Sequence, residues 1–385
     1  MACAVRDFVI PASCIVNADQ TQVIYSSGDQ KTWNASGERQ VHVLGADEKR
    51  AFTLMVAVSG SGALLPFQAI YAGKSVRSVP DKNTPGYSEA QQLGFLLEYS
   101  KTKTYWSTFE TMCCWVSDIL APYFRAQVEK NHLSTDQRCL LQLDCWSVHR
   151  SARFRTWMRA NYPWIIFDYV PGGCTGVFQA CDVGIQRVLK LAIRNAAHAD
   201  VVAETVHALQ SGIEPQYLVN DQSLPTLRRR SLNWIIQAYH AVNRPELIKK
   251  AFSLCAVPDS TFNLSYESLV SVAARQALMD TYASNPTLYQ ALTSGAHTFP
   301  AIEPGEEYDE LPVEDEEGDL DSTVDELCEL ILDARTVQDT LQTVSGIADS
   351  EAESEAGTVV PPTPSVRSTR SGRVPRRPSR YSSTR

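Results

Sequence analysis

Five short apolar runs between Ser13 and Val170 constrain this chain more than anything else in it. They are "SCIVNADQTQV" (13–23), the two halves of "AFTLMVAVSGSGALLPFQAIYAG" (51–73), "CLLQLD" (139–144) and "WIIFDYV" (164–170). Each reads as a strand. The Ser59-Gly60-Ser61-Gly62 joint marks the second and third as a hairpin. Helical material lies between about 89 and 131. It returns over 151–163, where Phe154, Trp157 and Met158 recur at helical spacing and Asn161 and Pro163 mark the stop. A long helical pattern runs from about Asp182 to Gln210. The order β, β-hairpin, α, β, α, β, α predicts an α/β core with a mixed sheet flanked by helices. "MACAVRDFVIPASCIV" adds a helix before the first strand, and a second helical block covers roughly 223–300.

Charge divides the chain more sharply than its net value of −9 suggests. Residues 1–301 hold 27 Lys+Arg against 24 Asp+Glu, so the body is slightly basic. Residues 302–356 hold 20 acids against Arg335 alone, and residues 357–385 hold seven arginines and no acid. An acidic total therefore does not argue against a nucleic-acid partner for the body. The tail cannot build a core of its own, although "TVDELCELILDARTVQDTL" has the pattern of an amphipathic helix inside it. No apolar run approaches the length of a membrane-spanning helix, and no charged-then-apolar leader is present. Ten cysteines without a CxxC pair are expected to be reduced thiols.

Three aspartates occupy comparable places in this core. Asp19 lies inside the first strand, Asp144 ends the fourth run, and Asp182 stands at the entry to the long helix. A carboxylate in an apolar strand is costly to desolvate unless something positive faces it, and neither the Asp19 nor the Asp144 strand carries a Lys or Arg. Divalent metal suits such oxygen ligands, and two bridged ions can activate a nucleophile and stabilise a leaving oxygen. The plainer readings are a strand-ending turn at Asp144 and a helix N-cap at Asp182. The spacing alone leaves both possibilities open.

In order, "VNADQTQV", "KTWNASGERQV", "EKRAFTLMVAVSGSGALLPFQAIYAGK", "LDCWSVHRS" and "VPGGCTGVFQACDVGIQRVLK" resemble blocks of the DDE-superfamily endonuclease domain. The likeness is to pogo- and jerky-like transposases related to centromere protein B, in a fungal-type variant, and it covers about residues 5–260. It implies an RNase H-like fold and a catalytic, metal-binding triad. Asp19 matches the first acid, Asp144 the second in a D-x₄-H block ending at His149, and Asp182 the third. The third block reads Gln-Pro-x-Asp in the family, so Gln179 matches its glutamine while Ala180 replaces the proline. Cys145 stands where many relatives carry Asn. The implied chemistry is hydrolysis and strand transfer of DNA phosphodiesters in the nucleus, with two Mg²⁺ or Mn²⁺ ions. The alternative is a transposon-derived nucleic-acid-binding or regulatory protein without turnover.

This reading divides the chain into a catalytic domain (1–212), a helical extension (213–301), an acidic segment (302–356) and a basic Ser/Pro/Arg-rich tail (357–385). Too few residues precede Asp19 for the helix-turn-helix modules by which relatives find their element ends. DNA-end recognition is therefore expected from a separate full-length transposase, and a homodimer is a further expectation. Near the site, His149 either orients a carboxylate, touches a phosphate or caps the following helix. Arg187, Lys190 and Arg194 share one face of the long helix, opposite Val188, Leu189, Ala192 and Ile193. That stripe suits a DNA backbone or is a solvated face, and Arg228, Arg229 and Arg230 pose the same choice. "PGGCTG" lacks the ending of a phosphate loop and reads as a tight loop over the site face. Cys145, His149, Cys174 and Cys181 fit no zinc spacing, and no G-x-S-x-G elbow appears.

Overall fold

The computed structural model describes residues 1–25, 50–256, 262–293 and 322–334. The block at 31–41, most of the acidic segment and the basic tail lie outside the described residues. Six strands form one mixed sheet: β1 (Ile15–Ile24), β2 (Ala51–Ser59), β3 (Gln68–Tyr71), β4 (Leu96–Tyr99), β5 (Cys139–Leu143) and β6 (Ile165–Tyr169). They lie in the order β4-β3-β2-β1-β5-β6. β1 is central, antiparallel to β2 from Val16 opposite Ser59 to Ile24 opposite Ala51. Its other edge runs parallel to β5, from Ile15 opposite Leu140 to Asn17 opposite Gln142. β2 and β3 are antiparallel, while β3–β4 and β5–β6 are parallel pairs. An antiparallel trio with parallel strands added beyond its first member is the RNase H-like arrangement, extended here by β4 at the far edge.

Two expectations need correcting. β4 falls inside the stretch read as helical. "LLEY" is four residues long, too short to show a period, and its extended state comes from pairing with β3, a contact distant in sequence. The apolar run 164–170 suggests a buried strand, yet in β6 only Ile165 is buried. It is the sheet's outer strand, so one of its edges meets no neighbour.

Helices cover both faces. β2 shows why: all nine of its residues are buried, and successive side chains point opposite ways. Phe52, Leu54, Val56 and Val58 enter one core; Met55 and Ala57 enter the other. The second core is closed by α1 (Phe109–Trp115), α2 (Ala121–Lys130) and α3 (Ala152–Asn161), which bring Met112, Trp115, Phe124, Phe154 and Met158. The first is closed by α4 (Gln186–Gln210), α5 (Leu224–Val242), α6 (Pro245–Leu254) and α7 (Val324–Asp333). On α4 the apolar side is Val188, Leu189, Ala192 and Ile193, all buried. α5 and α6, from the segment read as a helical extension, share this core with α4. The acidic segment contributes α7, which buries Leu327, Cys328 and Ile331 there.

Candidate active site

Asp19 sits on the central strand, opposite Val56 of β2, and is 5% exposed. Its Oδ2 accepts a hydrogen bond from the Nε2 of Gln186, the first residue of α4. Asp144 follows the last residue of β5 and is also 5% exposed. Its Oδ1 bonds the Nδ1 of His149, a ring with no exposed surface. The other ring nitrogen, Nε2, lies 3.2 Å from the amide Nε2 of Gln20. With that amide donating, the imidazole carries its proton on Nδ1 and gives it to Asp144. Of the partners the sequence left open for His149, the structure places it against the Asp144 carboxyl.

Asp182 is held by a local irregularity. Cys181–Ile185 form one π-helical turn at the start of α4, a wider turn than the α-helix allows. Two buried contacts fix that turn to β1. The Gln179 amide donates to the Ala18 carbonyl at 3.1 Å, and the Cys181 N–H donates to Asn17 Oδ1 at 3.0 Å. Asp182 is therefore registered against the strand that carries Asp19. Its carboxyl lies beside Asp19 and Thr175, the latter opening a short helical turn after the Gly-rich stretch. Burial holds its pKa above the ordinary Asp range against the lowering contacts of Asp19 and Thr175; the charge of Asp144 adds to the rise and Lys190 opposes it.

The three acids therefore share one neighbourhood, contributed by β1, the end of β5 and the entry to α4. They do not share one coordination sphere in this conformation. Among the described residues, no group of three His, Cys, Asp or Glu side chains is arranged to hold a metal ion. Asp144 is engaged by His149 and Asp19 by Gln186. The chemistry of the donors nevertheless suits a hard cation. All three are carboxylates, and the buried Gln179 Oε1 has no hydrogen-bond partner, leaving an oxygen acceptor beside the first strand. Two close carboxylates repel each other, and a cation would offset that repulsion.

Of the basic candidates, Arg187, Lys190 and Arg194 are half-buried along α4, directly after the third acid. Arg187 also lines a surface cleft with Val183, Leu254 and the α7 residues Leu330, Ile331 and Asp333. The Arg228–Arg230 cluster is spent differently. Arg228 donates to the Ala72 carbonyl at 2.5 Å, Arg230 pairs with Glu204 at 2.9 Å, and Arg229 is exposed. Two residues of the site escaped the sequence reading, Gln186 and Gln20. Gln186 could have been found, since it lies four residues past Asp182 and so on the same side of a helix. Gln20 gave no signal.

The family model for the DDE superfamily endonuclease matches residues 48–252. Among solved structures, the chain is similar to one in a pre-cleavage Mos1 transpososome, at 9% identity and a TM-score of 0.27, over 65% of this chain and 58% of that chain. A Mos1 transposase paired-end complex with left transposon end is similar at 11% identity and a TM-score of 0.25, over 59% and 56%. The chain thus spans 58% of the length of the first of these structures. No curated protein matches it.

Proposed function

The chain belongs to the DDE superfamily endonuclease family, and from that premise we propose that it hydrolyses and joins DNA phosphodiester bonds at Asp19, Asp144 and Asp182. One observation carries the reading: the Asp182 carboxyl meets Asp19 and lies in the field of Asp144. Buried like charges in contact destabilise a fold, so their convergence calls for a purpose. In this reading the finer kinship is to pogo- and jerky-like transposases, and the location is nuclear.

The three carboxylates, with the free Gln179 oxygen nearby, would hold Mg²⁺ or Mn²⁺. When bound, such ions supply charge neutralisation at the phosphate and a water acidic enough to attack it. The chain's own residues do the positioning. His149 fixes the Asp144 carboxylate, Gln186 fixes that of Asp19, and the Gln179 and Asn17 contacts keep Asp182 in register. Arg187, Lys190 and Arg194 give the DNA backbone a cationic rail leading from the third acid. The test is nicking of a supercoiled plasmid by the full chain with Mg²⁺ or Mn²⁺, with Asp144→Asn as control. Metal-dependent nicking lost in the variant is expected; no nicking, or equal nicking by both, rejects the reading.

A second reading has its own support. Asp19 and Asp144 are already engaged by Gln186 and His149, an arrangement that would suit a DNA-binding protein without turnover. Calorimetric titration with Mn²⁺ separates the two, since such a protein takes up no ions that Asp182→Asn abolishes.

A further inference from the structure

Trp106 keeps 45% of its surface exposed, although burying an indole is among the larger gains open to a fold. It belongs to a cluster. The connection between β4 and α1 carries exposed Lys101 and Lys103, then Tyr105 and Trp106. The Tyr105 and Trp106 rings pack at 5.0 Å between centroids, and Trp106 lies 6.5 Å from Trp146. Trp146 comes two residues after Asp144, and its ring meets His149 edge-on at 5.3 Å. His149 in turn bonds Asp144. Aromatic rings thus lead without a break from solvent to the second acid.

The loop is pinned rather than loose. Thr53 Oγ1 donates to the Tyr105 carbonyl at 2.8 Å, and Gln22 Nε2 donates to the Tyr105 hydroxyl at 2.5 Å. Both anchors come from the central strands, so the rings keep a fixed relation to the acids.

We propose that Tyr105, Trp106 and Trp146 form a stacking platform for unpaired bases of a DNA strand whose phosphate lies at Asp144. The proposal rests on the nuclease reading for the identity of the strand. Stacking is indifferent to sequence because every base presents a π-face, and Lys101 and Lys103 place positive charge where the backbone would run. Bases inside a duplex already stack on each other and gain little from such a platform. The ligand class is therefore single-stranded DNA, or a duplex opened at the cleavage point.

The test measures fluorescence anisotropy of a labelled oligothymidylate, about 12 nucleotides long, with the full chain in EDTA so that no cleavage occurs. Trp106→Ala is expected to weaken binding about tenfold. Trp106→Phe is expected to restore most of it, and a duplex of equal length to lose less than about twofold. Equal losses on strand and duplex, no loss on the strand, or no binding of the strand by the unaltered chain would each overturn the proposal. Because Trp106 is at the surface, an unchanged melting temperature separates stacking from misfolding. Binding that follows this pattern without plasmid nicking rejects the nuclease reading and leaves the platform standing.

Discussion

The carboxyl of Asp182 lies beside that of Asp19, although one enters from a π-helical turn and the other from the middle of the central strand. Two carboxyls so close repel when both are charged, and protonation of one relieves that. Without metal, then, the site stores unfavourable charge, and its behaviour with pH follows from that.

Burial raises the Asp182 pKa in the folded chain. The stabilisation from this proton is fully present below the unfolded value of about 3.9 and is lost as pH rises through the folded one. Metal-free protein should therefore lose stability from mild acid to neutrality more steeply than Asp182→Asn. At pH 7 the variant should melt roughly 2–4 °C higher. Thermal unfolding in chelator across this range checks it; parallel curves for the two proteins would contradict the raised pKa of Asp182.

His149 is wholly buried between Asp144 and Gln20. His149→Ala leaves the second acid without its partner and opens a cavity, at a cost of about 2–4 kcal/mol in urea unfolding. His149→Gln keeps a donor in place and should recover part of that loss. In both, the Mn²⁺ concentration for half-maximal nicking should rise about 10–100-fold. An unmoved metal dependence would reduce His149 to a packing residue.

Gly184 lies within the π turn, where an added Cβ would stand 2.6 Å from the Ala251 Cβ and 3.0 Å from its Cα. Neither atom belongs to a flexible side chain, so α6 must move. Gly184→Ala should cost about 1–3 kcal/mol and shift Asp182, two residues away, out of register. Paired with Ala251→Gly it should recover, which a double-mutant cycle measures. Additive losses would mean that the two residues do not meet.

α7 holds to the body through its apolar side and not its charges. Leu327 is buried against α4 and α6, whereas the Arg244–Asp325 pair is exposed. Leu327→Ala should cost about 2–4 kcal/mol, and Asp325→Ala less than about 1 kcal/mol. Chemical denaturation ranks them; the reverse order would make α7 an electrostatic attachment.

Much of the scaffold was legible along the chain because strands and helices carry their period in nearby residues. The strand through Asp19, the strand ending before Asp144 and the helix after Asp182 were readable in this way. β4 was not, since four residues cannot show a period and its state depends on β3. The half-exposure of β6 was hidden for the same reason: whether a strand lies inside a sheet or at its edge is decided by its neighbours.

The site divides along similar lines. Three aspartates could be singled out by their places, one inside a strand, one at a strand end and one at a helix entry. That His149 faces Asp144, that Gln186 faces Asp19 and that Trp106 stands in line with Trp146 are facts of tertiary structure. By itself the sequence determined which segments are extended or helical, because those preferences are set by φ/ψ and by the alternation of apolar side chains over a few residues. Only the folded chain decided which carboxyls lie together and which rings face solvent, because those depend on distances closed by β1, β5 and α4 packing together, and no local preference encodes them.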